Sequence, residues 1–186
     1  MNTDIIRVII GFDLLLFLIV WIALTPNSLV SLIIKNRKPI RTPLLLVEIL
    51  WFIQILNPSF LYSRILDIEL VRIFGTVITT LSIIFAIWAR LTMKKSWGVP
   101  AQHNIEKQNK LITTGPYQYS RNPIYLGIIG TFIGMAMAFS NFLFFLTPLL
   151  IWYFYEIIQR EETLLQKYFG KEYLRYKNNV PRFLLV

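Results

Sequence analysis

Apolar runs recur along this chain at lengths near the roughly 20 residues that cross a bilayer as a helix. Polar connections separate them. Five spans can be drawn: about Ile5 to Leu24, Leu44 to about Phe60, roughly Leu70 to Leu91, Ile124 to Phe139, and Phe142 to Ile158. Only Ser140 and Asn141 separate the last two. One helix through both would be about 52 Å long, far beyond a hydrocarbon core of about 30 Å, so they are expected to fold back as a tight hairpin. The first run carries Asp4 at its start and lacks a small-x-small cleavage site at its end, so it is read as a retained helix rather than a signal peptide. The pattern predicts an all-α fold, an integral membrane bundle of five transmembrane helices with a cytoplasmic loop and a C-terminal helical tail. All 186 residues form a single membrane-embedded domain in this reading.

Charge sets the expected orientation. The connection from Thr25 to Pro43 carries four Lys or Arg, Arg90 to Pro123 carries six, and the tail from Gln159 carries six. Only Arg7, Arg64 and Arg72 fall on the other side. A sixteen-to-three split predicts the N-terminus outside and the tail in the cytoplasm. The long inner segments, Thr92 to Arg121 and Arg160 to Val186, are also rich in polar and aromatic residues. Any chemical site is expected where they meet.

Composition narrows the chemistry. The chain is 55% hydrophobic with mean hydropathy +0.56, too apolar for an ordinary soluble domain. Its net charge of +9 lies between apolar runs rather than in one recognition helix, which points to anionic lipid headgroups and topology instead of nucleic acid. With no cysteine and one histidine, His103, the chain cannot supply a disulfide framework, a thiolate zinc site, a cysteine nucleophile or a multi-histidine metal site.

Three pieces then carry a resemblance: "LITTGPYQYSRNPIYLG" from Leu111, the acidic pair in Arg160-Glu161-Glu162, and "LLQKYFGKEYLRYKNNVPR" from Leu164. In order and spacing they resemble the isoprenylcysteine carboxyl methyltransferase and phospholipid methyltransferase family of integral membrane enzymes, over roughly Gln102 to Arg182. The resemblance implies S-adenosylmethionine as methyl donor, held on the cytoplasmic side, and a lipophilic prenyl or lipid acceptor arriving from the bilayer, with no metal. Residues 1–91 then serve as scaffold helices and 92–186 as the cofactor-binding catalytic region. The implied cofactor-binding residues are Gln102, Asn109, Lys110, Leu111, Ile112, Gly115, Tyr117, Asn122, Pro123, Ile124, Tyr125 and Glu161. The catalytic candidates are Arg121, Tyr125 and Glu162. The family's R-H-P reads Arg121-Asn122-Pro123 here, and the histidine six residues before the turn glycine is Asn109. The arginine that eukaryotic carboxyl methyltransferases carry four residues before the first glutamate is Ile157.

Methyl transfer from a sulfonium suits this composition, because the protein must mainly bind the donor, align the nucleophile and exclude water. One of the two glutamates is expected to engage the cofactor and the other to anchor the neighbouring loop. The alternative is two solvated acids at the end of the fifth helix. Arg121 either bridges to the glutamates, meets an acidic acceptor, or pairs with Tyr125 as an interfacial anchor. Gly127, Gly130, Gly134 and Ala138 form a small-residue stripe, read as close helix contact rather than a groove for an isoprenoid tail. Asp13, Glu48 and Gln54 are expected to pair among themselves inside the bundle, and Glu156 with Arg160. The acceptor class expected first is the carboxylate of a prenylated cysteine. Phospholipid N-methylation, an NADPH-dependent reductase of the sterol-reductase type and a non-catalytic membrane scaffold are the alternatives.

Overall fold

The computed structural model describes residues 2–24, 42–93 and 110–184. The described residues are helical apart from turns and a single bridge between Tyr62 and Asn141. Five apolar helices correspond to the five expected segments: α1 (Thr3–Ala23), α2 (Thr42–Leu56), α3 (Glu69–Met93), α4 (Pro123–Ala138) and α5 (Thr147–Phe169). A short polar helix, α6 (Lys171–Asn179), follows. Among the described residues, three stretches are long and apolar enough to cross a membrane: α1, α3, and α5 together with the 3₁₀ turn Phe142–Leu146 before it. At 15 and 16 residues, α2 and α4 are shorter. Sixteen residues rise only about 24 Å.

The ends of the helices follow local chemistry. The Asn2 side chain caps α1 by accepting from the Asp4 amide at 3.0 Å. Helix α2 stops at Leu56, short of the expected Phe60, because Asn57 precedes Pro58 and is driven out of the helical region. Ser140 adopts φ +51° at the hairpin, and the Asn141 side chain accepts from the Leu143 amide at 2.8 Å. Asn141 Nδ2 also donates to the Phe60 carbonyl, which fastens the hairpin turn to the connection after α2. Helix α5 does not end at Ile158. It runs to Phe169 and stops at Gly170, φ +53°, so the two glutamates sit within the helix and not at its terminus.

Contacts between helices give their directions. Arg72 Nη2 donates to Thr3 Oγ1 at 2.7 Å, Thr80 Oγ1 to Asp13 Oδ2 at 2.6 Å, and Arg90 to the Leu24 carbonyl. Near, middle and far contacts in the same order make α1 and α3 parallel. Arg7 Nε reaches the Ile55 carbonyl at 2.9 Å, so α2 runs antiparallel to α1. Asp13 therefore pairs with Thr80 of α3, not with Glu48 or Gln54 as expected; Gln54 is buried with its Oε1 unpartnered. Spacing alone could not place Thr80 on the face opposite Asp13.

Helices α3 and α4 pack closely and antiparallel. A Cβ on Gly134 would lie 2.5 Å from Thr79 Oγ1, 2.6 Å from the Thr79 nitrogen and 2.8 Å from the Gly75 carbonyl. Gly130 and Gly127 press in the same way on Ser82 and Ala86. The small-residue stripe is thus a helix contact, as its spacing suggested. Around it the core gathers Ile6, Ile10, Leu14, Trp51, Ile83, Phe132 and Met135. This rigid pair holds the N-terminus of α4 against the C-terminal end of α3, and the candidate site is built there.

Candidate functional site

The turn Gly115–Gln118 rests on the last turn of α3. Gly115 has φ +60°, and a Cβ there would lie 2.9 Å from Thr92 Oγ1, so only glycine satisfies both the conformation and the approach. Tyr117 is buried against Ala89 and Ile124, and its carbonyl accepts from the Tyr176 hydroxyl at 2.7 Å. Leu111 is buried with Tyr173 and Tyr176, which tucks α6 beneath the loop. Burial raises the phenols of Tyr117, Tyr173 and Tyr176 above their ordinary value, because the phenolate is the form that loses solvation.

After the turn comes Ser120-Arg121-Asn122, locked to the tail by its backbone and its side chains. The Arg121 amide donates to the Pro181 carbonyl at 2.9 Å, and Ser120 Oγ to the Arg182 carbonyl at 3.0 Å. Arg121 Nη1 donates to the carbonyls of Lys177 (2.9 Å) and Val180 (2.5 Å). Pro123 then starts α4 at a position where its missing amide hydrogen costs nothing.

The two glutamates of α5 have different surroundings. Glu162 is buried, its side chain 5% exposed, between two guanidinium groups. Its Oε1 accepts from Arg121 Nε at 3.0 Å, Asn122 Nδ2 at 3.3 Å and Arg182 Nε at 3.3 Å; its Oε2 accepts from Arg182 Nη2 at 2.8 Å. A buried carboxylate is tolerable only when paired and hydrogen-bonded in this way. Glu161 is half-buried, and Tyr125 Oη donates to its Oε1 at 2.7 Å. One acid is enclosed and committed to holding the tail. Its neighbour lies at the rim.

Of the residues picked from sequence, the structure brings together Arg121, Asn122 and Glu162 in one network and Tyr125 with Glu161 in a second. Leu111, Tyr117, Pro123 and Ile124 are buried beside them, Ile112 and Gly115 are half-buried, and Lys110 is exposed. Gln102, His103 and Asn109 lie outside the described residues. Glu156 is half-buried and Arg160 exposed, and they do not form the expected ion pair. Ile157 belongs to an apolar cluster with Tyr125, Ile129, Phe154 and Ile158, on which Phe183 packs. Arg182 and Tyr176 were not singled out from sequence, although both lie in the motif that closes the chain. Their partners are 20 and 59 residues away.

The phospholipid methyltransferase family model matches residues 70–172, from the start of α3 into α6. Among curated proteins, the protein-S-isoprenylcysteine O-methyltransferase B of Arabidopsis thaliana is 31% identical over 113 residues, 58% of this chain and 56% of that protein. The protein-S-isoprenylcysteine O-methyltransferase of Saccharomyces cerevisiae is 30% identical over 136 residues, 69% of this chain and 57% of that protein. The human protein of that name is 30% identical over 95 residues, covering 50% and 34%. This chain spans about half the length of the first two of these relatives.

Proposed function

The chain belongs to the phospholipid methyltransferase family of membrane methyltransferases, and from that premise we propose that it transfers a methyl group from S-adenosylmethionine to a lipophilic carboxylate, giving a methyl ester. The acceptor favoured is the carboxylate of a prenylated cysteine or an analogue, in keeping with the names of the relatives above. The observation that carries the reading is the division of labour between the adjacent acids: Glu162 enclosed by Arg121 and Arg182, Glu161 at the rim on the Tyr125 hydroxyl.

The residues present suit the donor. Glu161 offers a carboxylate to a cationic or hydroxyl-bearing ligand, half-buried Ile112 offers an apolar side chain, and Gly115 brings backbone to the surface of the turn, while the buried Leu111, Tyr117 and Ile124 back the loop from beneath. Lys110, Gln102 and Asn109 complete the proposed set from the preceding loop, and Asn122 and Pro123 shape its wall. S-adenosylmethionine, when bound, supplies a methyl group already activated on a sulfonium. What remains for the chain is to bind, orient and dry the site. In this reading Tyr125 orients Glu161, while Arg121 and Glu162 fix the loop and tail that exclude water.

The choice of acceptor follows from proton handling. An amine is mostly protonated at neutral pH and needs a base, whereas a carboxylate is already ionised and needs only to be desolvated and aimed. Burial keeps the phenols of Tyr117, Tyr173 and Tyr176 protonated, so none of them serves as that base. The proposed topology is five crossings with the N-terminus outside and the tail in the cytoplasm, which the sixteen-to-three division of basic residues supports. The test is transfer of labelled methyl from S-adenosylmethionine to a prenylated cysteine by the purified protein, followed by alkali. A carboxyl ester releases the label as methanol. Label that survives alkali in a phospholipid product would instead establish N-methylation, and a protein that binds no S-adenosylmethionine would defeat both.

A further inference from the structure

Arg182 contacts Glu162 through its side chain and Ser120 and Asn122 through its carbonyl. Its guanidinium grips both carboxylate oxygens, Nη2 to Oε2 at 2.8 Å and Nε to Oε1 at 3.3 Å, and lies 4.7 Å from the centre of the Tyr155 ring. Its carbonyl accepts from Ser120 Oγ at 3.0 Å and from Asn122 Nδ2 at 3.3 Å. On either side of it, the Pro181 carbonyl holds the Arg121 amide, and Phe183 packs on the cluster containing Tyr125 and Ile157. One residue therefore links the loop before α4, the middle of α5 and the tail.

We propose that Arg182 is a positioning residue of the methyl-transfer site, holding Glu162, and through it Glu161 and Tyr125, in register for the donor. This rests on the function proposed above. Glu161 and Glu162 are neighbours on one helix, so fixing the Glu162 side chain fixes the rotation at which α5 presents Glu161. Tyr125 stands on the first turn of α4, directly after the loop that the Arg182 carbonyl holds. The 2.7 Å contact from Tyr125 to Glu161 thus spans the two elements that Arg182 ties together. The rival account is that Arg121 alone secures Glu162 and that Arg182 merely finishes the tail. Arginine is the suitable residue for the first account, because its planar fork engages both oxygens of a carboxylate while lysine offers a single point charge.

The experiment uses the full chain in detergent, with S-adenosylmethionine as the probe. Its dissociation constant, its KM, the KM of the lipid acceptor and the melting temperature without ligand are measured for the wild type, Arg182→Lys and Arg182→Gln. Expected for Arg182→Gln is a rise of about tenfold in the dissociation constant and KM of the donor, typical of coupling within one network, with the acceptor KM unchanged. Arg182→Lys recovers part of the loss. Glu162→Gln and the double variant with Arg182→Gln should bind the donor equally weakly, because both act through the same carboxylate. A wild type that binds the donor and an Arg182→Gln that binds it as well would overturn the inference and leave the function standing. A wild type that does not bind would overturn the function first. If Arg182→Gln does not fold, an unchanged donor KM in Arg182→Lys overturns the inference instead.

Discussion

Glu161→Ala and Glu162→Ala separate the two roles assigned to adjacent carboxylates. Glu162 has a side chain 5% exposed, and its guanidinium partners Arg121 and Arg182 are 9% and 20% exposed. Solvent screening is therefore weak, and removing the carboxylate leaves two cations facing each other in a largely dry site. Breaking a buried pair by deleting one partner costs about 3–5 kcal/mol. For a chain of this size that corresponds to a fall in melting temperature on the order of 10 °C. Glu161 is half-buried, and the hydrogen bond it accepts from Tyr125 contributes about 1 kcal/mol. The assay is a thermal melt of each purified variant in detergent, beside a titration with S-adenosylmethionine. Glu161→Ala should melt near the wild type and lose the donor; Glu162→Ala should melt much lower. If Glu162→Ala melts like the wild type while Glu161→Ala collapses, the anchor and the ligand-binding acid have been exchanged and the reasoning is refuted.

Gly134→Ala should destabilise the bundle by about 1–3 kcal/mol, because the added carbon meets backbone of α3 on two sides and cannot be relieved by a rotamer change. Gly11→Ala, which meets nothing within 4 Å, should be neutral or slightly stabilising; melts that rank the pair the other way would contradict the packing described. The phenols of Tyr117, Tyr173 and Tyr176 are raised by burial, so the folded state favours their protonated form. Their contribution is complete below about pH 10 and declines above it as the unfolded chain ionises, so melting temperature should drop between pH 10 and 11, and a level profile would count against their burial. Reporter fusions after Asn141 and after Val186 should report opposite faces of the membrane, and the same face for both would rule out the proposed hairpin crossing.

Much of the scaffold was readable because bilayer thickness and hydropathy act over a whole run of residues. The stripe from Gly127 to Ala138 identified a close helix contact, yet its counterpart Gly75 carried no comparable signal in α3. Helix α5 extends beyond the expected Ile158 for a physical reason. Hydropathy ends at Ile158, but Gln159 to Phe169 contains neither glycine nor proline and consists largely of good helix formers, so the backbone continues to Gly170. Asp13 was expected to find another charged or amide side chain, and it found a threonine, because facing positions on two helices depend on their mutual rotation. At the site, a bridge from Arg121 to the glutamates was among the readings available from sequence. The second guanidinium was not, since a partner supplied by an irregular tail leaves no periodicity to read. Gln102 and Asn109 lie outside the described residues, and their assignment remains the expectation drawn from sequence.

The clasp between Arg182 and Glu162 also has a meaning in time. Translation delivers residues in order, so Arg121 and α4 are made first, Glu162 follows, and Arg182 leaves the ribosome after both. The carboxylate that will be enclosed by two cations thus has only one of them available when α5 is first threaded into the lipid. Until the tail arrives, the loop before α4 lacks the carbonyls of Lys177, Val180, Pro181 and Arg182 that hold it. A nascent chain whose first five helices have been made therefore still lacks the contacts that hold the loop before α4, and they form only once the tail has followed.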